Sequence, residues 1–194
     1  MVSTDKLKQL REETGVSMAD CKKALDESGG DLSQAKELLR KWGKEFASSK
    51  KGRETKQGII ESYIHPNKKV GVLIQLACET DFVAKSDKFK ELAHELCLQI
   101  AAMSPLYLKP EDIPEEFLDG EKKIYQEQIK DSGKPQNIVD QIVEGKLDKY
   151  KKQVSLLSQP WVKDSTKTIE ELVKGHISKL GENIVIKKFS RYEI

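Results

Sequence analysis

Val70-Gly-Val-Leu-Ile-Gln-Leu-Ala-Cys78, followed at once by Glu79-Thr-Asp-Phe-Val-Ala-Lys85, is the stretch from which the fold can be read. In an extended chain successive side chains point to opposite faces. Val70, Val72, Ile74, Leu76 and Cys78 therefore share one apolar face, while Gly71, Leu73, Gln75, Ala77 and Glu79 make a mixed one. One face belongs to a core and the other is partly covered. Beyond Lys85 the apolar period changes. Phe89, Leu92, Ala93, Leu96, Ile100 and Met103 recur at three- and four-residue steps, the spacing of a helix from about Asp87 to Met103. Ser86 is its candidate N-cap. Cys78–Lys85 is thus a strand-to-helix corner, with Asp81 and Phe82 at its tip. Residues presented by a loop on a rigid scaffold are candidate binding residues. The same pattern admits a second reading, in which Phe82 turns inward and fills the gap between strand and helix, as large apolar side chains mostly do.

Outward from the corner, Gly58–His65 and Lys69–Cys78 read as a β-hairpin about the turn Pro66-Asn67-Lys68. Asn183–Tyr192 reads as a last strand that joins the hairpin in a three-stranded antiparallel sheet. Between them, Pro105, Pro110 and Pro114 punctuate a loop, and Pro114 opens a helix to Lys130. Ser132-Gly133-Lys134-Pro135 is a stop and restart. Ile138, Ile142 and Val143 carry the next helical pattern, which Leu147, Tyr150 and Val154 extend past Gly145. Short connections favour antiparallel neighbours, so about 114–157 is expected to form a helical arm. Gln159-Pro160-Trp161-Val162 reads as a loop. Thr168 and Glu171 form a capping box at the start of a helix with Ile169, Leu172, Val173, Ile177 and Leu180, and Gly181 ends it.

The first 50 residues read differently. Thr4 is the candidate cap of a helix ending at Gly15, Ser17-Met-Ala-Asp20 opens a second, and Asp31 opens a third. The third carries Leu32, Ala35, Leu38, Leu39, Trp42 and Phe46 on one stripe. Residues 1–50 are therefore expected to form a three-helix bundle similar to the ubiquitin-associated (UBA-like) fold. Polar and basic residues from Ala47 onward suggest a fraying helix end, with 51–57 as a basic linker and 58–194 as an α+β domain. The expected class is α+β, an N-terminal UBA-like bundle followed by a sheet packed with helices.

Composition narrows the chemistry. The 194 residues carry 34 basic and 32 acidic side chains, a net charge of +2, where a dedicated nucleic-acid binder shows a stronger basic bias. Hydrophobic residues make up 37%, enough to build a core. No apolar run approaches the ~18 residues of a membrane span. The opening Met-Val-Ser-Thr-Asp-Lys resembles neither a secretory nor an organellar leader, so a cytoplasmic protein is expected. Cys21, Cys78 and Cys97 are too dispersed for a zinc or redox pair and are expected as reduced, buried thiols. His65, His94 and His176 stand at no metal-ligand spacing, so no metal and no cofactor are expected. There is no phosphate loop, dinucleotide fingerprint or nucleophile elbow. A binding protein is favoured over an enzyme.

Leu10–Leu25, with its Thr14-Gly-Val-Ser-Met-Ala-Asp-Cys-Lys-Lys23, closely resembles the amino-terminal motif of the translation elongation factor Ts family. Thr80-Asp-Phe-Val83 matches that family's core motif. Ser132-Gly-Lys-Pro135, Glu144-Gly-Lys146, Gln159-Pro-Trp-Val162, Gly181-Glu-Asn-Ile184 and Arg191-Tyr-Glu193 match later segments in the same order. The resemblance covers nearly the whole chain and implies guanine-nucleotide exchange on elongation factor Tu, bound with GDP or free of nucleotide. It further implies that Thr80, Asp81, Phe82 and Val83 enter the Tu nucleotide domain and disturb its magnesium and phosphate site, with Phe82 outward. Arg11, Val16, Met18 and Lys22 are the implied contacts of the bundle on the same Tu domain. No catalytic residue of the chain's own and no nucleic-acid contact are implied. Longer members carry a second copy of the sheet core; with one apparent core, this chain resembles the short bacterial form and is expected to be a homodimer. Ala19 stands where some members carry a second methionine, which makes the bundle contact less apolar.

Two other classes fit fragments of the sequence. A ubiquitin-binding adaptor fits the bundle, but Thr14-Gly-Val-Ser-Met18 lacks the Met-Gly-Phe/Tyr loop of ubiquitin readers. An RNA or ribosome binder fits the basic run of Lys41–Lys56, but the near-neutral net charge opposes it.

Overall fold

The structure is a computed structural model that describes residues 3–194 apart from Asp131, Ser132 and Lys134. Ser132 and Lys134 of the stop and restart expected at Ser132–Pro135 lie outside the described residues.

Strands β1 (Gln57–Ile64), β2 (Val70–Cys78) and β5 (Val185–Glu193) form one antiparallel sheet in the order β1-β2-β5. Val72, Ile74, Leu76 and Cys78 are buried, as the alternation in the sequence requires. A bulge interrupts the β2–β5 ladder, because Gln75 pairs with Lys188 but Leu76 pairs with Ile186. Gly58 is obligatory in β1. Its φ is +152°, and an added Cβ would collide with the Leu76 carbonyl oxygen and lie 2.7 Å from Ala77 Cα.

Helix α5 (Asp87–Met103) lies on the inner face of this sheet and contributes Phe89, Leu92, Leu96 and Ile100. Helix α8 (Ile169–Leu180) completes the core with Ile169, Val173 and Ile177. Both open on the expected caps. Ser86 accepts from Phe89 N, and Thr168 with Glu171 closes a reciprocal capping box. Helices α6 (Glu115–Ile129) and α7 (Gln136–Val154) pair as the arm around a small core of Ile129, Val139 and Val143. Helix α7 runs unbroken through Gly145, at which an added Cβ meets open space.

Three details differ from expectation. The cap of α1 (Thr4–Thr14) is Ser3, whose hydroxyl accepts from Asp5 N, rather than Thr4. The segment expected as a loop at 159–162 instead contributes β3 (Pro160–Trp161), which pairs with β4 (Asp164–Thr168). Buried glutamines hold this hairpin and the arm's base. Gln99 Nε2 donates to Gln159 Oε1 and to the Pro160 carbonyl, both at 3.1 Å, while Val162 N donates to Gln99 Oε1 at 2.9 Å. Such contacts between residues 60 or more positions apart have no local sequence signal.

The third difference is in the last helix of the bundle. Helices α1, α2 (Met18–Glu27) and α3 (Leu32–Lys50) enclose Leu10, Cys21, Ala24, Leu25, Ala35 and Leu39. Phe46 leaves the expected stripe: it is 39% exposed, with the Lys50 ammonium 4.8 Å above its ring. Ala47 is buried instead, and in the sheet core rather than the bundle core. Helix α3 therefore passes from one core to the other and packs along α8. Lys44 Nζ bonds Glu171 Oε1 at 2.6 Å there, and Gly43 faces the Ser178 side chain.

Candidate functional site

Strand β2 ends at Cys78, and its thiol donates to the Thr80 carbonyl at 3.1 Å. The chain then turns into a five-residue helix, α4 (Asp81–Lys85), where the sequence suggested only a corner. Thr80 is its N-cap, with Oγ1 accepting from Val83 N at 3.4 Å. Ser86 is extended, ends α4, and at once caps α5. Ser86 Oγ also donates to the Val83 carbonyl at 2.8 Å, tying the two helices at their joint.

This short helix decides the direction of Phe82. Ala84 is buried and Val83 packs against the sheet core. Two residues apart on a helix are roughly 200° around its axis. Burying Ala84 thus turns Phe82 away from the protein, and the residue is 83% exposed. The inward, gap-filling alternative does not occur; Phe89, fully buried, occupies the core beneath. Asp81 sits in the first turn, where the helix dipole favours an anion. Its carboxylate accepts from Lys85 Nζ at 2.7 Å, and this bond holds its pKa below the ordinary value.

The corner is also held from a distance. The Glu182 carboxylate, just beyond α8, accepts from Glu79 N and Thr80 N at 3.0 Å each and from the Thr80 hydroxyl at 2.5 Å. Glu79 reciprocates by accepting from Asn183 N at 2.7 Å. Arg53, in the connection after α3, reaches Glu79 at 3.5 Å, and its carbonyl accepts from Asn183 Nδ2 at 2.9 Å. Glu182 and Asn183 lie inside Gly181-Glu-Asn-Ile184, a stretch visible in the sequence whose contact with the corner is not.

The bundle residues occupy another region. Arg11 is exposed on α1, and Met18 and Lys22 stand four residues apart on α2. Val16, in the α1–α2 turn, is half-buried against the bundle core. Val16 packs against the bundle core and Val83 against the sheet core, so the two groups stand on separate apolar cores.

The remaining reactive groups are quiet. Burial raises the Cys78 thiol to about 11 and the Cys97 thiol to about 12, the latter aided by Glu61. Burial lowers the His176 pKa, and its Nδ1 contacts the Leu172 carbonyl at 2.9 Å. Among the described residues no group of three or more His, Cys, Asp or Glu is placed to hold a metal ion, and no helix is long and apolar enough to cross a membrane. The arrangement offers an exposed aromatic on a fixed support, a geometry for binding.

Comparison with known proteins places these features in a family. The family model described as Elongation factor TS matches residues 33–194. Elongation factor Ts of Thermotoga petrophila is 54% identical over 193 residues, covering 100% of this chain and 96% of that relative. That of Coprothermobacter proteolyticus is 51% identical, covering 100% of this chain and 98% of the relative. That of Thermosipho melanesiensis is 47% identical over 194 residues, covering 100% and 99%.

Proposed function

The chain belongs to the elongation factor Ts family, and from that premise we propose that it is the guanine-nucleotide exchange factor of elongation factor Tu. Family membership supports a role in translation elongation. The observation that carries the finer reading is Phe82, 83% exposed on a helix capped and tied at both ends. An exposed aromatic normally costs solubility; one held rigidly outward is suited to enter a partner. Thr80, Asp81, Phe82 and Val83 are the proposed wedge into the Tu nucleotide domain, and Arg11, Val16, Met18 and Lys22 the proposed bundle contact. The factor works in the cytoplasm and has no catalytic residue of its own.

Exchange is reciprocal coupling: whatever factor Ts imposes on GDP affinity, GDP imposes on Ts affinity. A shift of about 10⁴ needs ~5.5 kcal/mol of differential binding. Burying one phenylalanine supplies about 1.5–3 kcal/mol. Phe82 alone falls short, so the bundle and sheet contacts must contribute, together with loosened magnesium. That ion neutralises the nucleotide's phosphates, so moving it frees GDP without bond chemistry. Asp81, an anion at the tip, is placed to compete for or repel groups around it.

We further infer a homodimer through the outer face of the sheet. Ile60 (74% exposed), Ile64, Leu73 and Tyr192 (72%) lie on that face, around Ser62, Gln75 and Ser190. An apolar sheet face open to water favours a second layer.

The test is release of labelled GDP from Tu with and without the chain. The chain accelerates release, and Phe82→Ala slows it by about tenfold, on the scale of one lost aromatic contact, with the fold unchanged by circular dichroism. Release that is equally fast with Phe82→Ala removes the wedge.

A further inference from the structure

We propose that Glu182 is a positioning residue for exchange: its carboxylate fixes the entry into α4 and thereby the direction of Phe82. The proposal rests on the exchange reading above.

A helix of five residues has almost no stability of its own, because nucleation fixes several residues for very few hydrogen bonds. Its geometry must be imposed from outside. Its C-terminal end is held by Ser86. At the N-terminal end the Thr80 cap satisfies Val83 N, but Thr80 itself needs a fixed orientation. Glu182 supplies it. One carboxylate oxygen accepts from two successive backbone N–H groups, of Glu79 and Thr80, and the other accepts from the Thr80 hydroxyl. A charged acceptor makes shorter and stronger bonds than a neutral one. Three bonds to one rigid group fix both the peptide plane and the side-chain rotamer of the capping residue.

Glu182 is itself well placed to act as a fixed point. Gly181, at φ +79°, ends α8 and reverses the chain toward β5. Ile184 and Ile186, immediately beyond, are buried in the sheet core. Asn183, 6% exposed, locks the reciprocal side through Glu79 and Arg53. The knot of Arg53, Glu79, Glu182 and Asn183 thus joins three chain segments, including the one that leaves the bundle.

Side-chain chemistry predicts how substitutions rank. Glutamine keeps an oxygen for the two N–H groups and an amide that can donate to the Thr80 hydroxyl oxygen, so it preserves the anchor in neutral form. Alanine removes it. Aspartate keeps the charge but is one methylene short.

The experiment is a double-mutant cycle in the full chain. Stopped-flow release of labelled GDP from Tu is titrated with each variant, giving a maximal rate and a half-saturating concentration. Thermal melts set a temperature at which all variants are folded. Glu182→Ala is expected to lower the maximal rate about tenfold with the half-saturating concentration unchanged, whereas a smaller folded fraction would raise that concentration. Glu182→Gln is expected to retain the rate within about threefold, and on a Phe82→Ala background Glu182→Ala is expected to add less than about twofold. An undiminished rate for Glu182→Ala overturns the proposal, as does a full loss that persists without Phe82. If Glu182→Ala does not fold, Glu182→Asp takes its place in the cycle under the same criteria. No acceleration of release by the wild-type chain would sink the exchange reading itself, and wild-type release by Phe82→Ala would remove the wedge and this proposal with it; slow release by Phe82→Ala with a neutral Glu182→Ala sinks only this proposal.

Discussion

Gly58 and Cys97 illustrate two constraints of the core at the scale of single residues. At Gly58 the neighbouring strand's backbone occupies the space of a Cβ. Backbone cannot swing aside as a side chain can, so Gly58→Ala should destabilise the protein by about 2–3 kcal/mol. Urea unfolding measures it, and a loss below about 0.5 kcal/mol would mean that the strands part easily. Cys97 is fully buried, and desolvation raises its thiol from the ordinary 9.0 to about 12. Its folded pKa therefore lies above the unfolded one. The thiol's stabilising contribution is complete below about pH 9 and is lost as pH rises toward about 12, because the unfolded chain ionises first. Stability should accordingly fall between neutral pH and about pH 10, and Cys97→Ala should flatten the fall. Paired urea melts at the two pH values decide it; parallel curves would show that another group dominates.

At the scale of elements, α3 is shared property. Its first turns bury Ala35 and Leu39 in the bundle, and its last turns bury Ala47 against the sheet core. The sequence from Ala47 onward looks like a frayed basic end because Ser48, Ser49 and Lys50 surround one small apolar residue. A single alanine is a weak periodic signal, so only contact with α8 reveals its role. Deleting residues 1–50 should then affect the fold as well as the proposed Tu contact. It removes Ala47 and the Lys44–Glu171 bond, and the remaining chain should melt several degrees lower, as about 1–2 kcal/mol of lost packing implies. An unchanged melting temperature by circular dichroism would show that the contact with α8 contributes nothing. The missed β3–β4 hairpin has a related cause. Two residues of strand carry no readable alternation, and its partners, Gln99 and Gln159, are polar residues buried by pairing with each other.

The whole molecule is expected to pair through its sheet. The sheet has three strands, and its inner face is covered by α5 and α8. Its outer face carries Ile60, Ile64, Leu73 and Tyr192 in solvent. Light scattering should give the mass of two chains at micromolar concentration. Combined Ile60→Asp and Leu73→Asp should halve that mass without unfolding the sheet, since both side chains already face water in one chain. A wild-type mass of one chain would remove the dimer.

The sequence by itself determined the α+β class, the three antiparallel strands, the capped helices and the family. All of these rest on local signals: period two, period 3.6, Ser and Thr caps, and motifs in order. It also pointed to Thr80–Val83, through the resemblance, whereas Phe82 by its own residue type read as core. Only the tertiary structure decided which way Phe82 points. That direction depends on Ala84 packing beneath α4 and on Glu182 holding Thr80 from 102 positions away. A side chain's direction at the end of a strand follows from what is packed behind it, and those partners are adjacent in space rather than along the chain.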